Sequence, residues 1–251
     1  MMLNPYVVDG WVSTPERLVI AATVTVAFAV LARFLRGVNR SGAFAGGIAC
    51  FLLFAGAGPT AFAALCVLFL MTWAATRLGY RRKLTLGLAE RREGRDAWQV
   101  LANLAVGAVA SVLFSIGGNR VWLVAALAAL SEAATDTVAS EIGQYRGSAG
   151  RMITTGRRVP AGTDGGVTMF GSITGFAAGL MITLVGALGG MVLPSRSWIP
   201  LSAGFAGMLI DSILGATLQR RGWISNQAVN FFATLAAALL AYAGVILMNS
   251  R

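Results

Sequence analysis

The chain has 251 residues, 57% of them hydrophobic and only 12% charged, and its mean hydropathy of +0.72 excludes a soluble globular domain. Twenty basic residues against ten acidic ones give a formal charge of +10. In a membrane chain such an excess sets orientation and meets anionic lipid headgroups, so nucleic acid is not an expected partner. Histidine is absent, which excludes an imidazole base and a His-ligated metal.

The opening stretch MMLNPYVVDGWVSTPER has no basic leader and no small-residue cleavage pattern, so no removable signal peptide is expected. Apolar runs then predict transmembrane helices over about 18–36, 42–57, 60–78, 98–117, 121–142, 167–192, 198–217 and 227–248. Lipid cannot hydrogen-bond a bare backbone. The expected fold is therefore all-α, a single transmembrane domain over residues 1–251 forming a polytopic bundle of about eight spans. Cys50 and Cys66 lie inside apolar runs and read as small packing residues. The third loop, RLGYRRKLTLGLAERREGRDAW, has mixed charge and reads as a short surface helix among the headgroups.

The basic residues sort by side. The odd-numbered loops hold sixteen of the twenty, and the other side keeps Arg17, Arg120, Arg196 and Arg251. This asymmetry predicts that the odd-numbered loops face the cytoplasm and that both termini lie outside.

Against this apolar background the few carboxylates stand out. Span five ends in SEAATDTVASEIG, where Glu132, Asp136 and Ser140 recur every four residues and share a helix face. Glu141 falls on nearly the opposite side of a straight helix and joins them only if the helix loosens near Gly143. A carboxylate within the bilayer is costly unless paired, hydrated or bound to a cation, so these residues are functional candidates, with an interhelical hydrogen bond as the purely structural alternative. Before span six, Gly162, Gly165 and Gly166 surround Thr163 and Asp164. Such a glycine-rich helix start can turn backbone N–H groups toward an anion, with Arg157 and Arg158 upstream as phosphate clamps. Asp164 also fits a simple N-cap.

Span seven carries Gly207, Asp211, Gly215 and Gln219 at four-residue intervals, a ridge that lets another helix or a ligand approach closely. Asn226 and Asn230 open span eight one turn apart. All these groups are expected at similar depth on one side of the membrane. Together they supply the parts to hold a divalent cation with phosphate groups, since hard cations take oxygen ligands.

SEAATDTVASEIG, VPAGTDGGVTMFG, DSILGATLQ, the Asn-containing start of the last span and LGYRRKLTLGLAE before WQVLANLAVGA resemble the membrane family of plant phytyl-phosphate kinases. That family also includes an animal transmembrane protein and many prokaryotic members, and the resemblance covers the chain from about Gly42 onward. It implies an Mg²⁺-dependent phosphotransferase that converts an isoprenyl monophosphate to the diphosphate with a nucleoside triphosphate as donor, at a site facing the cytoplasm. In that reading Asp136, Glu141, Asp164 and Asp211 hold Mg²⁺, with Glu132 completing or orienting the metal site. Gly162, Thr163, Gly165 and Gly166, with Ser140, Asn226 and Asn230, bind phosphates. Asp136, Asp211, Arg157 and Arg158 carry catalysis, the arginines neutralising transition-state charge. A transporter of prenyl phosphates or an ion-coupled carrier uses similar parts, as does nucleotidyl transfer to a lipid phosphate. Prenyl length, donor base and oligomeric state, a homo-oligomer included, stay open at this point.

Overall fold

The computed structural model of the chain describes residues 15–146 and 149–250. Most of the stretch read as lacking a signal peptide, and Arg251, lie outside the described residues. Among those described, seven helices are long and apolar enough to cross a bilayer. They are α1 (Pro15–Phe34), α2 (Arg40–Arg77), α4 (Ala97–Gly117), α5 (Val121–Arg146), α6 (Met169–Leu188), α7 (Trp198–Leu214) and α8 (Asn226–Asn249), with a short α3 (Tyr80–Thr85) after α2.

Seven helices nevertheless make eight crossings. A straight helix of 38 residues would run about 57 Å, yet the Arg77 guanidinium at the end of α2 donates to the Leu35 carbonyl at 2.9 Å, before α2 begins. The chain folds back at Gly58, whose φ of 82° and ψ of −173° are not helical. Glycine alone takes that φ at no steric cost, and Pro59 has no N–H to extend the ladder. The two halves of α2 are thus the expected second and third spans, forming an antiparallel pair.

The charged connections gather on one face. Asn39 N–H donates to the Arg95 carbonyl at 2.9 Å and Arg95 N–H to the Gly37 carbonyl at 3.1 Å, which stitches the first connection to the third. On the opposite face, the Arg120 guanidinium donates to Gly190 O at 2.6 Å, and Arg196 bonds Asn249 at 2.8 Å. With eight crossings, both described ends of the chain lie on this second face.

At the centre is α5, packed against α2, α4, α6, α7 and α8. Its membrane window is 89% buried, and small residues make that enclosure feasible. Gly171, Gly175 and Gly179 bring α6 onto the α5 backbone, where a Cβ at Gly175 would sit 2.5 Å from the Thr135 carbonyl oxygen. The helix runs unbroken to Arg146, without the loosening at Gly143 that would have turned Glu141.

Three features depart from the expectations. The connection between α5 and α6 contains a small antiparallel sheet of β1 (Gly150–Met152), β2 (Arg158–Val159) and β3 (Gly166–Val167), in the order β2-β1-β3. Directly after α7 the chain continues as a π-helical turn, Gly215–Gln219, a local widening often found at functional sites. The third connection is not simply a headgroup helix, because Lys83 of α3 is fully buried. Its ammonium donates to Ala75 O at 3.0 Å, Thr76 O at 2.8 Å and Glu141 Oε2 at 2.5 Å.

Candidate active site

On the face where the charged connections meet, a polar cavity of about 380 Å³ is lined by residues from five helices, α4 to α8, and from the third and fifth connections. Asp136 and Ser140 enter from α5, Thr163 and Asp164 from the connection before α6, and Asp211 from α7. Asn226 and Asn230 close the side formed by α8, which starts there because Ser225 caps it by accepting from Ala228 N–H at 3.2 Å. The convergence expected from sequence thus holds for the three aspartates and both asparagines.

The carboxylates share one electrostatic environment. Asp211 experiences the negative charges of Asp136 and Asp164, and the positive charge acting on Asp136 is that of Arg95. With its amide oriented by hydrogen bonding, Asn230 donates to Asp211 Oδ2 at 3.3 Å and to the Asn226 carbonyl at 3.0 Å. This fixes the Asp211 carboxylate against α8. Asp164, in the connection outside the membrane, has its pKa raised by burial, while Arg220 pulls the other way. It is not a helix cap, because Thr168 occupies that position and accepts from Gly171 N–H at 3.0 Å.

Several expected residues have other roles. Glu141 borders the cavity, but Lys83 and the Thr76 hydroxyl, at 2.9 Å, occupy its two oxygens. That pairing neutralises it and removes it from the uncommitted carboxylates. Glu132 lies outside the lining, wholly enclosed between α5, α7 and α8, and its Oε1 has no hydrogen-bond partner among the described residues. It sits behind Asp136 and Asp211, whose charges it feels. Arg157 and Arg158 are exposed and do not line the cavity. Arg158 pairs with Arg151 in the sheet, and the Arg157 carbonyl accepts from Met152 N–H at 2.9 Å.

The glycine-rich loop does border the cavity, but two of its N–H groups are spent internally. Thr163 N–H donates to Pro160 O at 3.3 Å and Gly166 N–H to Thr163 O at 2.8 Å. Its glycines serve close packing. Gly165, at φ 74°, lies so near the π-helical turn that a Cβ would come within 2.5 Å of Ala216 N.

Sequence reasoning missed Arg95, Gln99 and Asn103, all in the lining. Gln99 and Asn103 are polar residues one turn apart at the start of an apolar helix, the signal that would have found them. Asp96 and Gln99 form a reciprocal capping box, the D-x-x-Q form of a readable motif. Lys83 left no such signal.

Among the described residues no three acidic side chains stand close enough to ligate one metal ion. The arrangement instead suits a cation held by a pair, Asp136 and Asp211, with further oxygens from a phosphate and water, as Mg²⁺ commonly binds. Two like charges facing one cavity disfavour each other until a cation compensates them.

No solved structure matches the chain. An uncharacterized membrane protein of Synechocystis, sll0875, is 31% identical over 195 residues, 76% of each chain. The uncharacterized membrane protein MJ0933 of Methanocaldococcus jannaschii is 29% identical over 228 residues, 89% of this chain and 92% of its own. Protein VTE6, chloroplastic, of Arabidopsis thaliana is 29% identical over 203 residues, 77% of this chain but only 61% of the plant protein. The profile of the family described as integral membrane protein DUF92 matches residues 23–238, and this chain therefore belongs to that family, with the cyanobacterial, archaeal and plant proteins as its relatives.

Proposed function

We propose that the chain is a prenyl-phosphate kinase, transferring the terminal phosphoryl group of a nucleoside triphosphate to an isoprenyl monophosphate. One observation carries the reading: Asp136, Asp164 and Asp211, from separate elements, meet in a single polar cavity with Asn230 and Arg95. The motif resemblance to phytyl-phosphate kinases supports the choice of reaction. Family likeness alone does not fix chemistry, so the site must bear it.

The attacking oxygen belongs to the acceptor's phosphate, whose second pKa is about 6, so it is largely ionised at neutral pH without a general base. It bonds to the terminal phosphorus as the bridging P–O bond to the nucleotide breaks, and the nucleoside diphosphate leaves with that electron pair. Bound Mg²⁺ would supply charge neutralisation and phosphate orientation. Asp136 and Asp211 hold the cation, and Asn230 keeps Asp211 aimed into the cavity. Arg95 replaces Arg157 and Arg158 as the guanidinium placed to stabilise charge on the transferring group. Asp164, Ser140 and Asn226 also line the cavity, where the Asn226 amide N–H₂ would donate to phosphate oxygens. By the excess of basic residues around it, the site faces the cytoplasm and both termini lie outside.

The test is nucleotide consumption by the purified protein given geranylgeranyl monophosphate, Mg²⁺ and a panel of nucleoside triphosphates, with products identified by mass. A prenyl diphosphate is the expected product. Intact nucleotide under every condition would leave a carrier of prenyl phosphates as the better account.

A further inference from the structure

A second cavity, about 390 Å³ in volume, lies beside the first between α1, both halves of α2 and α4. Its walls are apolar, with Phe28, Gly46, Leu65, Leu68, Phe69 and Leu104 among them, and its rim holds Arg36, Arg77, Arg81, Arg91, Arg92 and Arg95. The volume falls in the range of small-molecule sites. Among the described residues, none of Arg36, Arg81, Arg91, Arg92 or Arg95 is paired with a carboxylate. The acid in this lining, Glu90, is committed elsewhere, accepting from Arg91 N–H at 2.8 Å and Gln99 Nε2 at 3.0 Å.

Arg36 adds an independent sign. Its φ of 53° makes it the one non-glycine residue with positive φ among those described. It ends α1 where glycine is the usual occupant, and the strained backbone sets a guanidinium on the rim.

Glu90, Arg95, Gln99 and Asn103 line both cavities. A ligand with an apolar tail and an anionic head, seated in the second cavity, therefore has its head at the wall of the first.

We infer that this cavity binds the tail of a single-chain lipid phosphomonoester and that its arginine rim holds the phosphate, with Arg95 at the junction with the acidic cavity. The occupant's identity rests on the kinase reading above. Charge complementarity selects an anionic head, and the shared wall selects a head able to reach the carboxylate site.

The experiment measures equilibrium binding of labelled geranylgeranyl monophosphate to the full chain in phosphatidylcholine nanodiscs, without nucleotide or Mg²⁺. Saturable binding is expected, displaced poorly by geranylgeraniol, inorganic phosphate or phosphatidic acid. A Cβ at Gly46 would meet only Val100 Cγ1, at 3.6 Å, so Gly46→Phe is tolerated by the backbone and should abolish binding by filling the cavity. Arg36→Gly should weaken binding about tenfold by removing a charge-assisted contact. Its melting temperature should hold or rise, because glycine accepts that φ, and a merely structural arginine would change stability alone. Wild-type affinity in both variants, or displacement by phosphatidic acid as effective as by unlabelled ligand, overturns the assignment. If both variants bind normally while the wild type consumes nucleotide, the cavity assignment fails and the kinase reading survives. The expected binding pattern without nucleotide consumption by any acceptor does the reverse.

Discussion

The two cavities are nearly equal in volume and share a wall, yet they are opposite in character. One gathers carboxylates from α5, α7 and a connection far apart in sequence. The other gathers arginines mainly from the first and third connections around an apolar slot. A carboxylate set attracts a cation and repels a bare phosphate, and an arginine rim does the reverse. Setting them side by side lets one fold bring two phosphate-bearing molecules together, one approached through its metal and the other through guanidinium groups.

The contrast is sharpest in the carboxylates. Asp211→Asn and Asp136→Asn should each lower turnover by about 10³-fold or more, while leaving geranylgeranyl monophosphate binding intact. Loss of both properties together would mean that the cavities are not separate in function. The next largest effect falls on the scaffold they share. Lys83→Met leaves Glu141 buried without its partner and should destabilise the fold by about 3–5 kcal/mol in reversible unfolding. Combining it with Glu141→Leu should restore most of that loss. Gln99→Ala removes half of the capping box and the bond to Glu90. It should cost about 1 kcal/mol and weaken nucleotide and lipid binding together, since Gln99 lines both cavities.

The smallest effect is a pH dependence. Burial raises the pKa of Asp164 above the ordinary aspartate range, so the folded state holds the proton more tightly than the unfolded chain. Its contribution to stability is complete below about pH 4 and declines as pH rises through the raised pKa. In metal-free protein, Asp164→Asn should melt with the wild type in strong acid and slightly above it at neutral pH. Identical melting at both pH values would show that Asp164 is effectively solvated.

Much of this fold was legible because hydropathy and charge write membrane topology directly. The eight crossings, the tight turn at Gly58 and the gathering of basic connections on one face follow from run length and loop arginines. Asp136, Asp211 and the two asparagines were legible because polar residues at the ends of apolar helices are costly without a use, and Asp164 because of the glycine-rich run that surrounds it. Tertiary pairing was not readable. Glu141 looked like another ligand because nothing local marks Lys83, 58 residues earlier, as its partner. Arg157 and Arg158 looked like clamps because proximity to a glycine-rich loop in sequence is not proximity to its cavity, and a short sheet turns them outward. Arg95 was counted only as a topological charge, although it joins the two cavities.

The enclosure of α5 bears on how the protein is made. Of the seven long helices it has the lowest mean hydropathy and the greatest share of its window inside the protein. A segment carrying Glu132 and Asp136 gains little by partitioning into lipid alone, so its stable insertion depends on neighbours arriving to surround it. Biogenesis of this helix is therefore a cooperative event. Truncated chains ending soon after Arg146 should leave it poorly integrated, until α6 and α7 emerge from the ribosome to shield it.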